Sequence, residues 1–135
     1  MSDAPTAAPG SQDLFEVARD AAARAYAPYS DYPVGAALRT PSGAVHAGAN
    51  MENASYPEGW CAETSALAHM VMSGETRFTE IAVFARKAAR ATPCGGCRQR
   101  LKEFAEADAK VHLCDAGGIV ETVTIGDLLP AAFDL

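Results

Sequence analysis

Apolar residues along the chain follow two different periods, and each predicts a type of element. From Ser11 onward, Leu14, Val17, Ala18, Ala21, Ala22 and Ala25 recur three and four apart, the spacing of one helix face, and Pro28 ends the stretch. Ser11 or Asp13 stands where a cap is needed, with Glu16 three residues after Asp13. The many alanines permit close packing, so this helix is expected to lie across a sheet. The period then changes to two. Val34, Ala36 and Leu38 alternate within Pro33–Arg39, and Val45–Asn50 follows across Thr40-Pro41-Ser42-Gly43, a turn with proline second and glycine fourth. These two stretches predict a hairpin.

A polar, turn-forming loop over 50–60 leads into a helix expected from Cys61 to about Met72 and closed by Ser73-Gly74. Ile81-Ala82-Val83-Phe84-Ala85 is a short continuous apolar run, which fits a central strand. After a basic loop over 86–91, a second helix is expected from Pro93 to about Ala107, with Thr92 capping it and the proline in its first turn. Strands near Val111–Cys114 and Ile119–Val123 flank a Gly117-Gly118 turn, and Ile125–Leu129 forms one helical turn. The order of elements predicts an α/β fold, a mixed five-stranded sheet covered by helices. Its site is expected where two helix N-termini approach the strand ends.

Composition narrows the class. The 135 residues suit one domain over 11–135, preceded by a small, polar, proline-rich tail over 1–10. No apolar run approaches the roughly 20 residues of a membrane helix. The N-terminus has neither the basic region nor the apolar stretch of a signal peptide, so no membrane partner and a cytoplasmic location are expected. A net charge of −6, from 11 Lys plus Arg against 17 Asp plus Glu, argues against a phosphate-chain partner. Four cysteines in a reducing compartment do not predict a disulfide framework.

Three of those cysteines carry the chemistry. In Thr92-Pro93-Cys94-Gly95-Gly96-Cys97, Cys94 and Cys97 fall three apart in a first helical turn, where free N–H groups and the dipole favour thiolates. A lone C-x-x-C fits a zinc site or a redox motif. Trp60-Cys61-Ala62-Glu63 sharpens the reading, because residues two apart do not share a helix face. Cys61 and Glu63 can serve one metal only if Cys61 sits at the very start of its helix. Three thiolates leave zinc a fourth position for water, which marks a catalytic site, and Glu63 is the nearby carboxylate that moves protons. A closed structural zinc, with a fourth ligand from Cys114, His69 or His112, remains an alternative. His112 and Cys114 share a strand face by alternation. Otherwise Cys114 is expected to be a buried, small apolar residue.

Read together, these stretches resemble the zinc-dependent cytidine deaminases of the small homotetrameric type. The resemblance rests on Tyr26-Ala27-Pro28-Tyr29-Ser30, Val34-Gly35-Ala36-Ala37-Leu38, Asn50-Met51-Glu52-Asn53-Ala54-Ser55-Tyr56, Cys61-Ala62-Glu63, Pro93-Cys94-Gly95-Gly96-Cys97-Arg98-Gln99 and Leu128-Leu129-Pro130-Ala131-Ala132-Phe133, all in order. It implies a three-layer α/β/α fold and one zinc per chain on Cys61, Cys94 and Cys97. It also implies hydrolysis of cytidine and deoxycytidine to the uridine forms plus ammonia, with Glu63 as general acid and base. The acidic balance then favours a free, uncharged nucleoside over a polynucleotide. Substrate contacts are implied at Asn50, Glu52, Ala62, Tyr32, Tyr56 and Phe133, within a homotetramer that shares its active sites.

Asn50 and Glu52 would meet ribose hydroxyls; the alternative is that Asn50 and Asn53 only stabilise a turn. Tyr32 stands where the family usually has a phenylalanine lining the base pocket. Tyr56 matches a position near the subunit junction, and Phe133 an aromatic that reaches a neighbouring subunit's site. Plain core packing is the alternative for all three. One departure concerns charge: small members often follow C-A-E with arginine, and here the position is Thr64. Arg98, directly after Cys97, is a candidate for the missing cation or an ordinary surface charge. A deaminase for a modified cytosine nucleoside or aminonucleoside antibiotic, and a non-catalytic zinc-stabilised module, are the rival functions.

Overall fold

Alternation along the strands sorts the side chains into two cores. A computed structural model describes residues 11–135, so the expected tail over 1–10 lies outside the described residues. The elements are α1 (Ser11–Ala22), β1 (Gly35–Arg39), β2 (Val45–Ala49), α2 (Ala62–Met72), β3 (Glu80–Phe84), α3 (Gly95–Glu103), β4 (Lys110–Asp115), β5 (Gly118–Thr124) and α4 (Ile125–Leu128). Ala36, Leu38, Ile81, Val83, Val111 and Leu113 face one way, against Ala66, Leu67 and Met70 of α2 and Leu101 of α3. Ala37, Ala82, Phe84 and Cys114 face the other way, against Leu14, Phe15, Ala18 and Ala22 of α1. The sheet, in the order β2-β1-β3-β4-β5, is therefore the middle of three α/β/α layers.

The topology fixes where a site can form. β1 pairs antiparallel with both β2 and β3, so β2 and β3 run in the same direction. α2 follows β2 and α3 follows β3, which brings both helix N-termini to the same edge of the sheet. β4 then returns parallel to β3, with α3 as the crossover, and β5 closes the sheet antiparallel to β4.

Three boundaries differ from the sequence reading, each for a local reason. α1 stops at Ala22 instead of continuing toward Pro28, because Tyr26 leaves the helix to bridge Met51. The Tyr26 N–H donates to the Asn50 carbonyl at 2.9 Å, and the Glu52 N–H donates to the Tyr26 carbonyl at 2.8 Å. α3 starts at Gly95 with Cys94 as its cap residue, and Thr92 turns its hydroxyl to the Arg90 carbonyl. α3 also ends early, at Glu103, because the chain turns to seat α4, whose Gly126 N–H donates to the Ala107 carbonyl at 2.9 Å.

A buried polar clasp ties α1 to the sheet. Glu80 of β3 accepts from the Ser11 hydroxyl at 2.9 Å and from Arg39 Nε at 3.1 Å, and pairs with His112 Nε2 at 2.8 Å. The other ring nitrogen of His112 pairs with the Thr122 hydroxyl at 2.9 Å. Ser11 and Asp13, expected to cap α1, thus spend their side chains on Glu80 and Arg39.

Two glycines let the helices sit directly on the sheet. A Cβ on Gly35 would stand 1.9 Å from the Ala18 carbonyl oxygen of α1, and one on Gly48 would stand 2.3 Å from the Ala66 nitrogen of α2. Backbone cannot swing aside as a flexible side chain does. Gly35→Ala is therefore expected to cost about 3 kcal/mol, the upper end for overpacking, read as a lowered melting temperature. A native-like melt would show that α1 has room to retreat.

Candidate active site

The loop after β2 is pinned just before the first cysteine. Met51 and Trp60 exchange both backbone hydrogen bonds, each at 2.9 Å, so the following residue starts α2 in a fixed place. Cys61 is that residue, the extended cap position of α2, as the two-residue spacing to Glu63 requires. Cys94 holds the matching position on α3, and Cys97 lies in that helix's first turn. Neither cap cysteine uses its sulfur to cap, so all three thiols converge, each within 4.8 Å of the others. Zinc with thiolates at about 2.3 Å needs sulfurs roughly 3.8 Å apart, so the donor set fits zinc with only a small closure.

The electrostatics suit a cation. A hydrogen bond from Cys97 draws the Cys61 thiol down to about 6, and the Cys97 thiol is pushed up in turn. Sulfurs crowded this closely cannot all ionise without a cation between them, and a divalent cation there would stabilise the thiolates. Among the described residues no fourth histidine, cysteine or carboxylate joins the three. His112 and Cys114 lie across the sheet in the α1 core, with His112 bound to Glu80 and Thr122, and His69 stacks edge-on with His46. The closed structural site with a fourth ligand from these residues is not formed.

Glu63, in the first turn of α2, is 4 % exposed and faces the same space. Burial is the main cause that pushes its carboxyl up to about 7, with the nearby Cys61 charge adding to it. Above the sulfurs is a cavity of about 390 Å³, lined by Val34, Val83, Ala85 and Ala91 on its apolar side and by Ser30, Asn50, Glu52 and Glu63 on its polar side. Its size falls in the range of small-molecule sites.

Residues 10–113 match the cytidine and deoxycytidylate deaminase zinc-binding region. The chain belongs to this family. It is 43% identical over 122 residues to a cytidine deaminase of Halalkalibacterium halodurans, covering 90% of this chain and 92% of that one. A cytidine deaminase of Sporosarcina psychrophila is 38% identical over 122 residues, with 90% of each covered. The crystal structure of cytidine deaminase from Burkholderia pseudomallei superposes with a TM-score of 0.86 at 43% identity, covering 90% of this chain and 97% of that one. A zinc-binding deaminase is what the three converging thiols belong to, and the α/β/α sandwich is this family's fold.

The other expected site residues of this deaminase divide into three groups. Asn50, Glu52, Ala62 and Tyr32 line the cavity with the cysteines. Asn50 also braces the loops around it. Its side-chain oxygen accepts the Val34 N–H at 2.9 Å, and its amide donates to the Tyr32 carbonyl at 3.0 Å. Asn53 does hold a turn, accepting the Ser55 N–H at 2.9 Å. Tyr56 lies outside the cavity, beside a neighbouring hollow that shares Ser30 and Glu52, edge-on to Tyr29. Phe133 is exposed and does not line the cavity of its own chain. Its segment is held to α3 through the Phe133 carbonyl, 3.4 Å from Gln99 Nε2, and the Lys102–Asp134 ion pair.

Two further residues went unassigned in the sequence. Ser30 donates both its N–H and its hydroxyl to Glu52, and the Tyr29 N–H adds a third bond at 2.9 Å. The Ser30 hydroxyl leads in holding the Glu52 carboxyl below its usual range, against a smaller push from burial. Arg98 is not the cation at the sulfurs: its guanidinium donates to the Pro93 carbonyl at 2.9 Å and the Leu128 carbonyl at 3.0 Å, bracing the entry to α3 against α4. Arg100 is the residue beside them, with Nη1 3.9 Å from Cys97 Sγ. Helical spacing from Cys97 would have singled it out.

Proposed function

We propose that this chain is a zinc-dependent hydrolase that deaminates free cytidine and deoxycytidine to uridine and deoxyuridine with release of ammonia. The observation that carries the reading is a buried Glu63 beside three convergent cysteine sulfurs at one end of a nucleoside-sized cavity. Cys61, Cys94 and Cys97 would hold the zinc, which when bound would make water acidic enough to attack near neutral pH. Glu63 accepts a proton from the attacking water and delivers it to N3 of the cytosine ring, then takes the proton of the new C4 hydroxyl and gives it to the amine as the C4–N bond breaks and the carbonyl forms. Burial favours the protonated carboxyl, the form that donates.

The sugar end is read from what the side chains have left to offer. Asn50 keeps one lone pair and one N–H after its bonds to Val34 and Tyr32. Glu52 keeps room for a hydroxyl after three bonds from Tyr29 and Ser30, which also aim it. A pair aimed at a hydroxyl that both nucleosides carry accepts both and rejects analogues that lack it. Tyr32 and Ala62 then border the base. Tyr56 and Phe133 are 74% and 69% exposed, free for the neighbour's site in the homotetramer with shared active sites that this reading includes. The family relationship supports that assembly, and a cytoplasmic location goes with it. No helix among the described residues is long and apolar enough to cross a membrane. The net charge of −6 argues against nucleic acid as substrate.

Ammonia release from cytidine, deoxycytidine and cytidine monophosphate, measured side by side on zinc-loaded protein, tests the reading. Turnover of both nucleosides, with the monophosphate weak, is expected. No turnover of either nucleoside, with zinc bound, would shift the assignment to a modified cytosine nucleoside.

A further inference from the structure

Each ligand helix has a position one turn beyond its last ligand cysteine that shares the cysteine's face. On α2, three residues after Cys61, that position is Thr64, whose hydroxyl is buried with no hydrogen-bond partner. On α3, three residues after Cys97, it is Arg100, with Nη1 3.9 Å from the Cys97 sulfur. The guanidinium folds back toward the start of α3 and lies over Gly96. A Cβ at Gly96 would stand 3.4 Å from Nη1, 3.8 Å from Cζ and 3.9 Å from Nη2, ordinary contact distances, so the guanidinium packs against the first turn of its own helix.

A cation turned toward a helix N-terminus opposes the dipole. Negative charge at the sulfurs offsets that cost, and the metal centre provides it, because zinc on three thiolates carries a net charge of −1. We propose that Arg100 is the charge-compensating residue of this metal centre. It is a positioning residue that acts through Cys97, and it does from α3 what Thr64 cannot do from α2. The inference rests on the zinc reading given above.

Release of zinc from the full-length, zinc-loaded protein to a chromogenic chelator is the test, with Arg100→Gln and Arg100→Lys beside the native chain. Zinc content of the native protein is measured first; a native chain without zinc would sink the zinc reading itself, and the inference with it. Arg100→Gln is expected to release zinc roughly tenfold faster, the lower end for loss of an outer-shell partner, because this guanidinium is solvent-exposed. Arg100→Lys, which keeps the charge, should stay within about twofold of native on the same scale. Melting of the metal-free forms controls for folding. Salt should accelerate release from the native chain by screening an exposed cation, a measurement that needs no variant. Native-like release from Arg100→Gln, equal acceleration in Arg100→Lys, or a native rate indifferent to salt would each overturn the proposal.

Discussion

Glu63→Gln is expected to lower turnover of cytidine by about 10²–10⁴-fold, the range for loss of a general acid–base, while the protein keeps its zinc. The carboxamide has nearly the same shape, so the first turn of α2 and the placement of Cys61 two residues earlier should be undisturbed. What it lacks is a proton to give at N3 and a basic oxygen to take one from water. The substitution also removes a buried ionisable group whose charged form is disfavoured by its surroundings. Stability should therefore hold or rise while activity collapses. Ammonia release, zinc content and melting temperature on one preparation separate these effects. Native-like turnover would sink the assignment of Glu63, and lost zinc would mean that the residue helps hold the metal.

Cys97→Ser is expected to be as severe, by a different route. Cys97 is the fully buried member of the three, its sulfur within 4.8 Å of that of Cys61 and approached by Arg100. A serine hydroxyl is a poor substitute for a thiolate, so the loss of zinc affinity should exceed the roughly 10–100-fold that an outer-shell change costs. Because Cys61 lies on α2 and the other two cysteines on α3, bound zinc joins two helices and stabilises the native state by linkage. Added zinc should raise the melting temperature of the native chain and leave that of Cys97→Ser nearly unmoved. Metal analysis after dialysis, with melting curves with and without zinc, checks both. A full equivalent of zinc on Cys97→Ser would remove this cysteine from the ligand set.

Much of this was legible in the sequence because it depends on local spacing. Alternation in the first strand, a continuous apolar run in the third and turn residues beside the others located the five strands, and the two-residue gap between Cys61 and Glu63 was enough to place Cys61 at a helix cap. Contacts made across long stretches of chain were not legible. Nothing near Asn50 announces that its carboxamide braces Val34 and Tyr32, 16 and 18 residues away. Arg98 looked like the better cation because it adjoins Cys97, yet its side chain leaves the sulfurs for Pro93 and Leu128, and Arg100 returns to them one turn later. The late start of α3 has a similar origin. Thr92 and Pro93 have the composition of a helix start, but Cys94 takes the extended cap conformation that the convergence of sulfurs requires. Tyr56 and Phe133 do not line the cavity of their own chain.

The strand order also has a consequence in time. β1 and β2 are neighbours in sequence and can pair early, on the microsecond scale of a hairpin. β3 must close a loop of about forty residues before Glu80 meets Arg39. Only then do the starts of α2 and α3 face each other. The metal centre is thus a late event in folding, absent from any early nucleus built on the hairpin. A late contact slows the reverse reaction more than it speeds the forward one. Zinc is expected to act on this chain as a lock on the finished sandwich, prolonging the lifetime of the folded state while leaving the rate at which the sheet is first assembled almost unchanged.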